Sequence, residues 1–149
     1  MIYFDAAYVA KCYLDEPGAV RVRAFAHETS GLTSCELARL EFSCILLRQR
    51  RERHLTQRHV TAILRDFARD EDAGVWHWLP MTATVIAAAQ ERIRGLPGDV
   101  FVRAGDALHL TCAHESGFHE VYTNDRHMLA AARHFGVKGI DLLAGSDDD

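Results

Sequence analysis

The stretch that decides the fold is Ile2-Tyr3-Phe4-Asp5-Ala6-Ala7-Tyr8-Val9-Ala10, near the start of a chain of 149 residues. Its first three residues form an apolar run of types that favour β-strands. The run ends at Asp5, and residues 6–10 have the pattern of a helix. A short apolar strand that leads directly into a helix is typical of a buried parallel strand in an α/β fold. Ligands of such folds bind at the carboxyl ends of the strands, so we predict that Asp5 lies at a binding site.

The rest of the chain alternates between strands and helices. Further strands are predicted at residues 32–34, 75–79, 121–123 and 137–143, with helical patterns between them. This order predicts an α/β fold with a central, mostly parallel sheet of about five strands and helices on both faces. The length and the ordinary composition, 48% hydrophobic and 26% charged, fit one domain. We expect that domain over residues 1–144 and a disordered acidic tail over residues 145–149.

Several classes of protein are disfavoured by what the sequence lacks. No apolar run approaches the roughly 18 residues of a membrane helix, and the start does not resemble a secretory signal, so we expect a cytoplasmic protein. The four cysteines include no C-x-x-C pair and are expected to be reduced and buried. The net charge of −4 gives no overall basic field. Arginines cluster between Arg48 and Arg58, where they either contact RNA phosphates or simply solvate a helix end.

Three acids stand at the ends of predicted elements. Asp5 ends the first strand, Asp106 is at a helix start, and Asp125 follows the strand 121–123. Taken singly, each has a structural explanation, because Asp is favoured in N-caps and turns. Taken together, three acids at compatible ends favour one shared site.

A fourth acid, Glu41, lies inside a helix predicted over residues 36–51. It falls on or beside an apolar stripe and has no Lys or Arg three or four positions away in its helix. An unpaired carboxylate in apolar surroundings is costly, so we expect a partner from elsewhere in the fold. The stripe consists of residues spaced by three or four positions: Leu37, Leu40, Cys44 and Leu47.

Clustered carboxylates repel one another unless a cation lies among them. Hard oxygen ligands of this kind suit Mg²⁺ or Mn²⁺. Such a site can activate a water molecule and stabilise charge on a phosphate group under attack. The candidate metal-binding and catalytic residues, called here the acid quartet, are Asp5, Glu41, Asp106 and Asp125.

Four motifs of this chain resemble those of PIN-domain ribonucleases, especially the VapC toxins of bacterial toxin–antitoxin pairs. The resemblance spans residue 1 to about residue 140. It implies a PIN-like domain and an endoribonuclease that uses Mg²⁺ or Mn²⁺, bound by the acid quartet, to cleave RNA phosphodiester bonds. The motifs are Ile2-Tyr3-Phe4-Asp5, Thr33-Ser34-Cys35-Glu36-Leu37-Ala38-Arg39-Leu40-Glu41, Gly105-Asp106-Ala107-Leu108-His109-Leu110 and Thr123-Asn124-Asp125-Arg126.

The second motif contains two acids that compete for one role. Glu36 precedes Glu41 by five positions, a rotation of roughly 140° around a helix, so the two cannot share a face. We assign the role to Glu41 because of its apolar neighbours. His109, in the third motif, is expected to pack beside the helix of Asp106.

The resemblance also implies partners. It implies an RNA substrate, such as tRNA or another structured RNA, a cognate small antitoxin protein, a homodimer and no membrane association. An arginine of the antitoxin is expected to enter the acidic cleft, and its helix or extended segment to lie in an apolar groove. That groove is predicted at Tyr8, Val9, Tyr13 and Val22.

Two other classes of function compete with the ribonuclease. One is a catalytically silent PIN-like module that binds RNA or protein. The other is a receiver-like signalling domain, which needs an acid after a central strand. The strand 75–79, which we predict to be central, ends instead in Leu79-Pro80.

Overall fold

The computed structural model describes residues 1–145. Its strands are Ile2–Phe4 (β1), Leu32–Cys35 (β2), Trp76–Leu79 (β3), Glu120–Tyr122 (β4) and Lys138–Ile140 (β5). Its α-helices are Ala6–Tyr13 (α1), Ala19–Glu28 (α2), Glu36–Arg51 (α3), Gln57–Asp72 (α4), Ala83–Arg94 (α5), Ala104–Glu115 (α6) and Arg126–Ala131 (α7). A 3₁₀ turn, Ala132–Phe135, continues α7.

The five strands form one parallel sheet in the order β3-β2-β1-β4-β5. This confirms the predicted α/β class and the strand number. The central strand is β1, whereas β3, the strand that we predicted to be central, lies at an edge. Since all strands run in the same direction, their carboxyl ends share one edge of the sheet, and Asp5 follows the middle strand.

Two hydrophobic clusters cover the two faces of the sheet, and successive residues of β1 belong to different clusters. Phe4 packs into the cluster of α1, α2, α3 and α4, whereas Tyr3 packs into the cluster of α6, α7 and the 3₁₀ turn. Both side chains are fully buried. Successive side chains of a strand point to opposite faces, so β1 is buried on both, as its unbroken apolar sequence predicted.

The apolar stripe predicted on α3 is wrong. The helix buries Ala38, Phe42 and Leu46, whereas Leu40 and Leu47 of the predicted stripe are 63% and 59% exposed. The ring of Phe42 lies 4.8 Å from that of Phe67 in α4. An aromatic side chain buries more apolar area than a leucine and so determines which face of the helix turns inward.

The predicted docking groove on the first helices is also wrong. Tyr8, Val9 and Val22 are fully buried, because α1 is covered by α2 and α3 in the first hydrophobic cluster. The Tyr8 hydroxyl donates a hydrogen bond to Asp141 Oδ1 at 3.0 Å. These residues are therefore part of the core and cannot line an exposed groove.

Some predicted ends of elements also shift. Helix α4, predicted to end near Ala68, continues through the acidic residues to Asp72. The last strand, predicted over 137–143, ends at Ile140 because Asp141 accepts hydrogen bonds from Tyr8 and from the backbone N–H of Leu143, which turns the chain. Of the predicted disordered tail, residues 146–149 lie outside the described residues. No helix within residues 1–145 is long and apolar enough to span a membrane.

Candidate active site

A cavity of about 670 Å³ opens at the carboxyl edge of the sheet and is lined by all four members of the acid quartet. We call it the acid cleft. The four acids come from four separate segments: the end of β1, the middle of α3, the first turn of α6 and the start of α7. The same cavity is also lined by basic residues and one glycine: Arg48, Arg51, Arg103, His109 and Gly105.

Asp5 lies at the base of the acid cleft and is 5% exposed. It caps α1, since its Oδ1 accepts a hydrogen bond from the backbone N–H of Tyr8 at 2.8 Å. Its Oδ2 accepts a hydrogen bond from the Thr123 hydroxyl at 2.5 Å. Burial raises the pKa of Asp5 from 3.8 to about 6, although these two hydrogen bonds oppose the rise. The ionised carboxylate is therefore under-solvated, and a nearby cation would stabilise it.

Glu41 is held by His109, at 2.7 Å between Glu41 Oε2 and His109 Nε2. The second nitrogen of the ring, Nδ1, lies 3.0 Å from the hydroxyl of buried Tyr3. Burial lowers the pKa of His109, but Cys35 and Glu41 raise it more, so it lies well above the ordinary value. Glu41 thus has the protein partner that its sequence position required.

Asp106 and Asp125 share one arginine. Arg103 Nε lies 3.0 Å from Asp106 Oδ2, and its Nη2 forms an ion pair with Asp125. Asp125 caps α7 by accepting hydrogen bonds from the backbone N–H groups of His127 at 2.8 Å and Met128 at 3.1 Å. Burial raises the pKa of Asp125, but these N–H groups and Arg103 outweigh it, so the pKa lies below its usual range.

Glu36 is not part of the acid cleft. It is exposed at the start of α3, and its Oε2 accepts a hydrogen bond from the backbone N–H of Met81 at 3.4 Å. The structure therefore brings Glu41, and not Glu36, to the other three acids. The metal-binding and catalytic roles of the quartet stay predictions.

The acid cleft fits a divalent cation in chemistry and charge. Its donors are carboxylate oxygens, the ligands that Mg²⁺ and Mn²⁺ prefer. Within residues 1–145, however, no three metal-ligating side chains are grouped closely enough to hold an ion in this arrangement. Each acid is instead bonded to a protein donor, and Arg103 draws Asp106 and Asp125 to itself. Joint coordination of one ion therefore requires Asp106 and Asp125 to turn away from Arg103.

Two residues around the acids, Arg103 and Tyr3, were not predicted from the sequence. Arg103 precedes Asp106 by three positions, a spacing at which side chains meet on a helix surface, so the sequence contained a signal for this pair. The same spacing relates Asp106 to His109. Nothing local indicated that Tyr3, 106 positions away from His109, would bond to it.

The family model described as the PIN domain matches residues 2–134, and the chain belongs to the PIN-domain family. No curated protein shows significant sequence similarity to the chain. Among solved structures, it is similar to Mycobacterium tuberculosis VapC20, a toxin that cleaves the sarcin–ricin loop, with 18% identity and a TM-score of 0.68 over 88% of this chain and 95% of that chain.

Two further structures share the fold. FitAcB from Neisseria gonorrhoeae has 18% identity and a TM-score of 0.63 over 97% of this chain and 99% of that chain. FitAB bound to an IR36 DNA fragment has 18% identity and a TM-score of 0.60 over 95% of each chain. Identities this low establish similarity of fold and leave the chemistry to be argued from the acid cleft.

Proposed function

We propose that this protein is a metal-dependent endoribonuclease that cleaves RNA phosphodiester bonds at the acid cleft. One observation carries the proposal: four acids from four separate segments line one cavity beside the central strand. Membership of the PIN family supports it, and argues against the receiver-like alternative. We assign Asp5, Glu41, Asp106 and Asp125 as the residues that hold Mg²⁺ or Mn²⁺.

The residues of the cleft have distinct tasks in this reaction. A bound divalent ion supplies an activated water and a positive charge beside the phosphate. Asp5 is fixed by Tyr8 and Thr123, and Glu41 is fixed by His109, so both carboxylates are oriented before the ion arrives. Arg103 balances the charge of Asp106 and Asp125. With a divalent ion bound to these two acids, its guanidinium would be free to contact a phosphate.

RNA has to approach a cleft that is rich in negative charge. Arg48 and Arg51 line the same cavity from α3. Arg51 lies 3.9 Å from the Glu52 carboxylate, too far for a hydrogen bond, so its guanidinium is available to a ligand. Arginines bind phosphates through two parallel N–H groups, and we assign these two to the phosphates that flank the cleaved bond.

We further propose that the protein is the toxin of a toxin–antitoxin pair and acts in the cytoplasm. A ribonuclease in that compartment needs a restraint, and the family resemblance implies a small cognate antitoxin. The similar structure VapC20 is itself a toxin. An arginine of the antitoxin would pair with carboxylates of the acid cleft and exclude the metal ion. The homodimer that the resemblance implies also stays a prediction.

The test of the nuclease is an RNA cleavage assay with purified protein. We expect internal cuts in tRNA or another structured RNA in the presence of Mg²⁺ or Mn²⁺, none with excess chelator, and recovery when the metal is restored. Cleavage that continues at the same rate in excess chelator would contradict the metal mechanism. RNA binding without cleavage would support the catalytically silent module instead.

The test of the toxin assignment is separate. We expect the product of a neighbouring small gene to bind the protein, raise its yield on co-expression and abolish RNA cleavage. A chain that is well tolerated in its host alone and binds no such product would refute the toxin assignment and leave the nuclease intact.

A further inference from the structure

We propose that Tyr3 and His109 form a buried hydrogen-bonded relay that positions the carboxylate of Glu41, which makes His109 a positioning residue of the acid cleft. The inference rests on the proposed function, since it matters only if Glu41 is a metal ligand. It assigns a role to two buried residues, one in β1 and one in α6.

Both ring nitrogens of His109 take part in hydrogen bonds, and the donor of the bond to Glu41 can be assigned. An ionised carboxylate can only accept hydrogen bonds, so His109 Nε2, 2.7 Å from Glu41 Oε2, is the donor. On the other side of the ring, Nδ1 is 3.0 Å from the Tyr3 hydroxyl. With both nitrogens engaged, the imidazole ring has one orientation, and a rotated ring would break both bonds.

Burial makes this orientation rigid. His109 is 2% exposed and Tyr3 is fully buried, and their rings meet edge to face with centroids 6.0 Å apart. The thiol of buried Cys35 lies 3.5 Å from the same Nδ1. The side chain of Glu41 is 34% exposed, so the relay joins the packed core to the open cleft.

A second constraint acts on Glu41 from the other side. Gly105 lies in the first turn of α6, and a Cβ placed on it would lie 2.9 Å from Glu41 Oε1. The missing side chain leaves room for the carboxylate beside the helix. The carboxylate of Glu41 is thus confined between the imidazole of His109 and the backbone of Gly105. A glutamate that only formed a salt bridge would not need both constraints.

Such a restriction matters for metal binding. Partners that hydrogen-bond to a metal ligand fix its direction, and their loss typically costs roughly 10- to 100-fold in metal affinity or activity. Asparagine and glutamine separate this effect from simple loss of packing at position 109. The amide nitrogen of glutamine can occupy the place of Nε2, whereas asparagine reaches only the place of Nδ1.

The experiment is a calorimetric titration of Mn²⁺ into the intact chain and three variants at one temperature below all melting points. We expect His109→Asn to weaken Mn²⁺ binding roughly 10-fold, and His109→Gln to restore most of the loss. The matched control is Thr111→Val, a buried change on the same helix that removes a hydroxyl without a hydrogen-bond partner, and it should leave the affinity unchanged. In RNA cleavage, His109→Asn should lower kcat with little change in KM.

Tyr3→Phe gives a second test if His109→Asn does not fold. It removes one hydroxyl from the core and should weaken Mn²⁺ binding about threefold. Equal affinity in the unchanged chain, His109→Asn and Tyr3→Phe would overturn the relay and leave the proposed nuclease standing. Equal losses in His109→Asn, His109→Gln and Thr111→Val would also overturn it, because they would reflect packing alone. Absence of Mn²⁺ binding in the unchanged chain would overturn the proposed function and the relay together.

Discussion

Two cavities lie at opposite ends of the same sheet and differ in how their polar side chains are paired. The second cavity, of about 320 Å³, lies near the first residues of β2 and β3. There the largest polar side chains bond to one another: the Tyr13 hydroxyl donates to Asp70 at 3.0 Å, and Trp76 Nε1 donates to the Tyr13 hydroxyl at 2.7 Å. Arg23 donates to the backbone oxygen of Leu14 at 3.2 Å. These donors and acceptors therefore satisfy one another within the protein.

The acid cleft lacks this balance. Asp106 and Asp125 pair with Arg103, and Glu41 pairs with His109. Among the described residues, Asp5 has no ion-pair partner, although Arg48 and Arg51 line the same cavity. Buried Asp5 has a raised pKa, which shows that its environment disfavours the charged form. Structural polar groups are expected to satisfy one another, whereas a buried carboxylate without an ion-pair partner indicates a place for a cation. This difference supports the proposal that a ligand binds at the carboxyl end of the sheet, whereas the polar groups at the other end stabilise the fold.

The largest expected effect comes from exchanging one acid of the acid cleft, Asp106. Asp106→Asn keeps the shape of the side chain but removes a charge from the proposed metal site. We expect it to reduce RNA cleavage by at least about 100-fold, a loss of the size seen when electrostatic stabilisation of a transition state is removed. The measurement is the initial rate of cleavage at saturating Mn²⁺, with thermal unfolding to confirm that the variant is folded.

Asp70→Asn is the matched control, because Asp70 serves the Tyr13 hydroxyl in the second cavity. It should cleave RNA at nearly the rate of the unchanged chain. If the two variants lost activity equally, the functional difference between the two ends of the sheet would disappear.

The next effect is a pH dependence of stability from Asp5. Its pKa rises from 3.8 to about 6 in the folded state, so the folded chain binds more protons than the unfolded chain between these values. The free energy of unfolding then falls as pH rises through this window, and a shift of this size corresponds to about 3 kcal/mol. The measurement is urea unfolding in chelator, compared between the unchanged chain and Asp5→Asn.

Asp5→Asn cannot titrate at this position, so the fall in stability between about pH 4 and pH 6 should be absent from it. Mn²⁺ should also abolish the fall in the unchanged chain, because a bound cation favours the ionised carboxylate. Parallel pH profiles for the two proteins in chelator would mean that Asp5 is not the group responsible.

A smaller effect should come from Arg103, which holds two acids of the cleft at once. A metal ion that binds Asp106 and Asp125 must displace it, and the apparent affinity is the intrinsic affinity multiplied by the fraction of molecules in which the arginine has left the acids. We expect Arg103→Gln to tighten Mn²⁺ binding by up to roughly fivefold, since exposed ion pairs contribute about 1 kcal/mol or less. Calorimetric titration measures it.

Arg48→Gln is the control for Arg103, because it removes an equal charge from another wall of the same cavity. It should change Mn²⁺ affinity less than Arg103→Gln does. An identical gain from both would mean that the effect is a general one of net charge, with no specific competition by Arg103.

The comparison also explains which features the sequence could predict. The apolar β1 followed by a helix predicted the parallel sheet, and acids at the ends of β1 and β4 were predicted to meet because parallel strands share a carboxyl edge. Glu41 was chosen over Glu36 through an apolar stripe that proved to be exposed at Leu40 and Leu47. Glu41 does lie on the face of α3 that lines the acid cleft, but the predicted burial of its apolar neighbours was wrong.

Other features depend on contacts between distant residues and leave no local pattern. The packing of Phe42 against Phe67 turned α3, and the covering of α1 by α2 and α3 buried the predicted docking groove. The bond between Tyr3 and His109 joins β1 to α6. Hydrophobic periodicity reports that a face is apolar but not which apolar face is covered, so these contacts become visible only in three dimensions.

The central claim is that the acid cleft is a specific site for a divalent cation. Thermal unfolding of the unchanged chain with saturating Mn²⁺ and with chelator tests it most directly. A ligand at 100 times its dissociation constant stabilises a fold by about 2.7 kcal/mol, which raises the melting temperature of a chain of this size by roughly 5–10 °C. We predict that rise for the unchanged chain and a much smaller one for Asp106→Asn, whereas identical melting temperatures with Mn²⁺ and with chelator would contradict the claim.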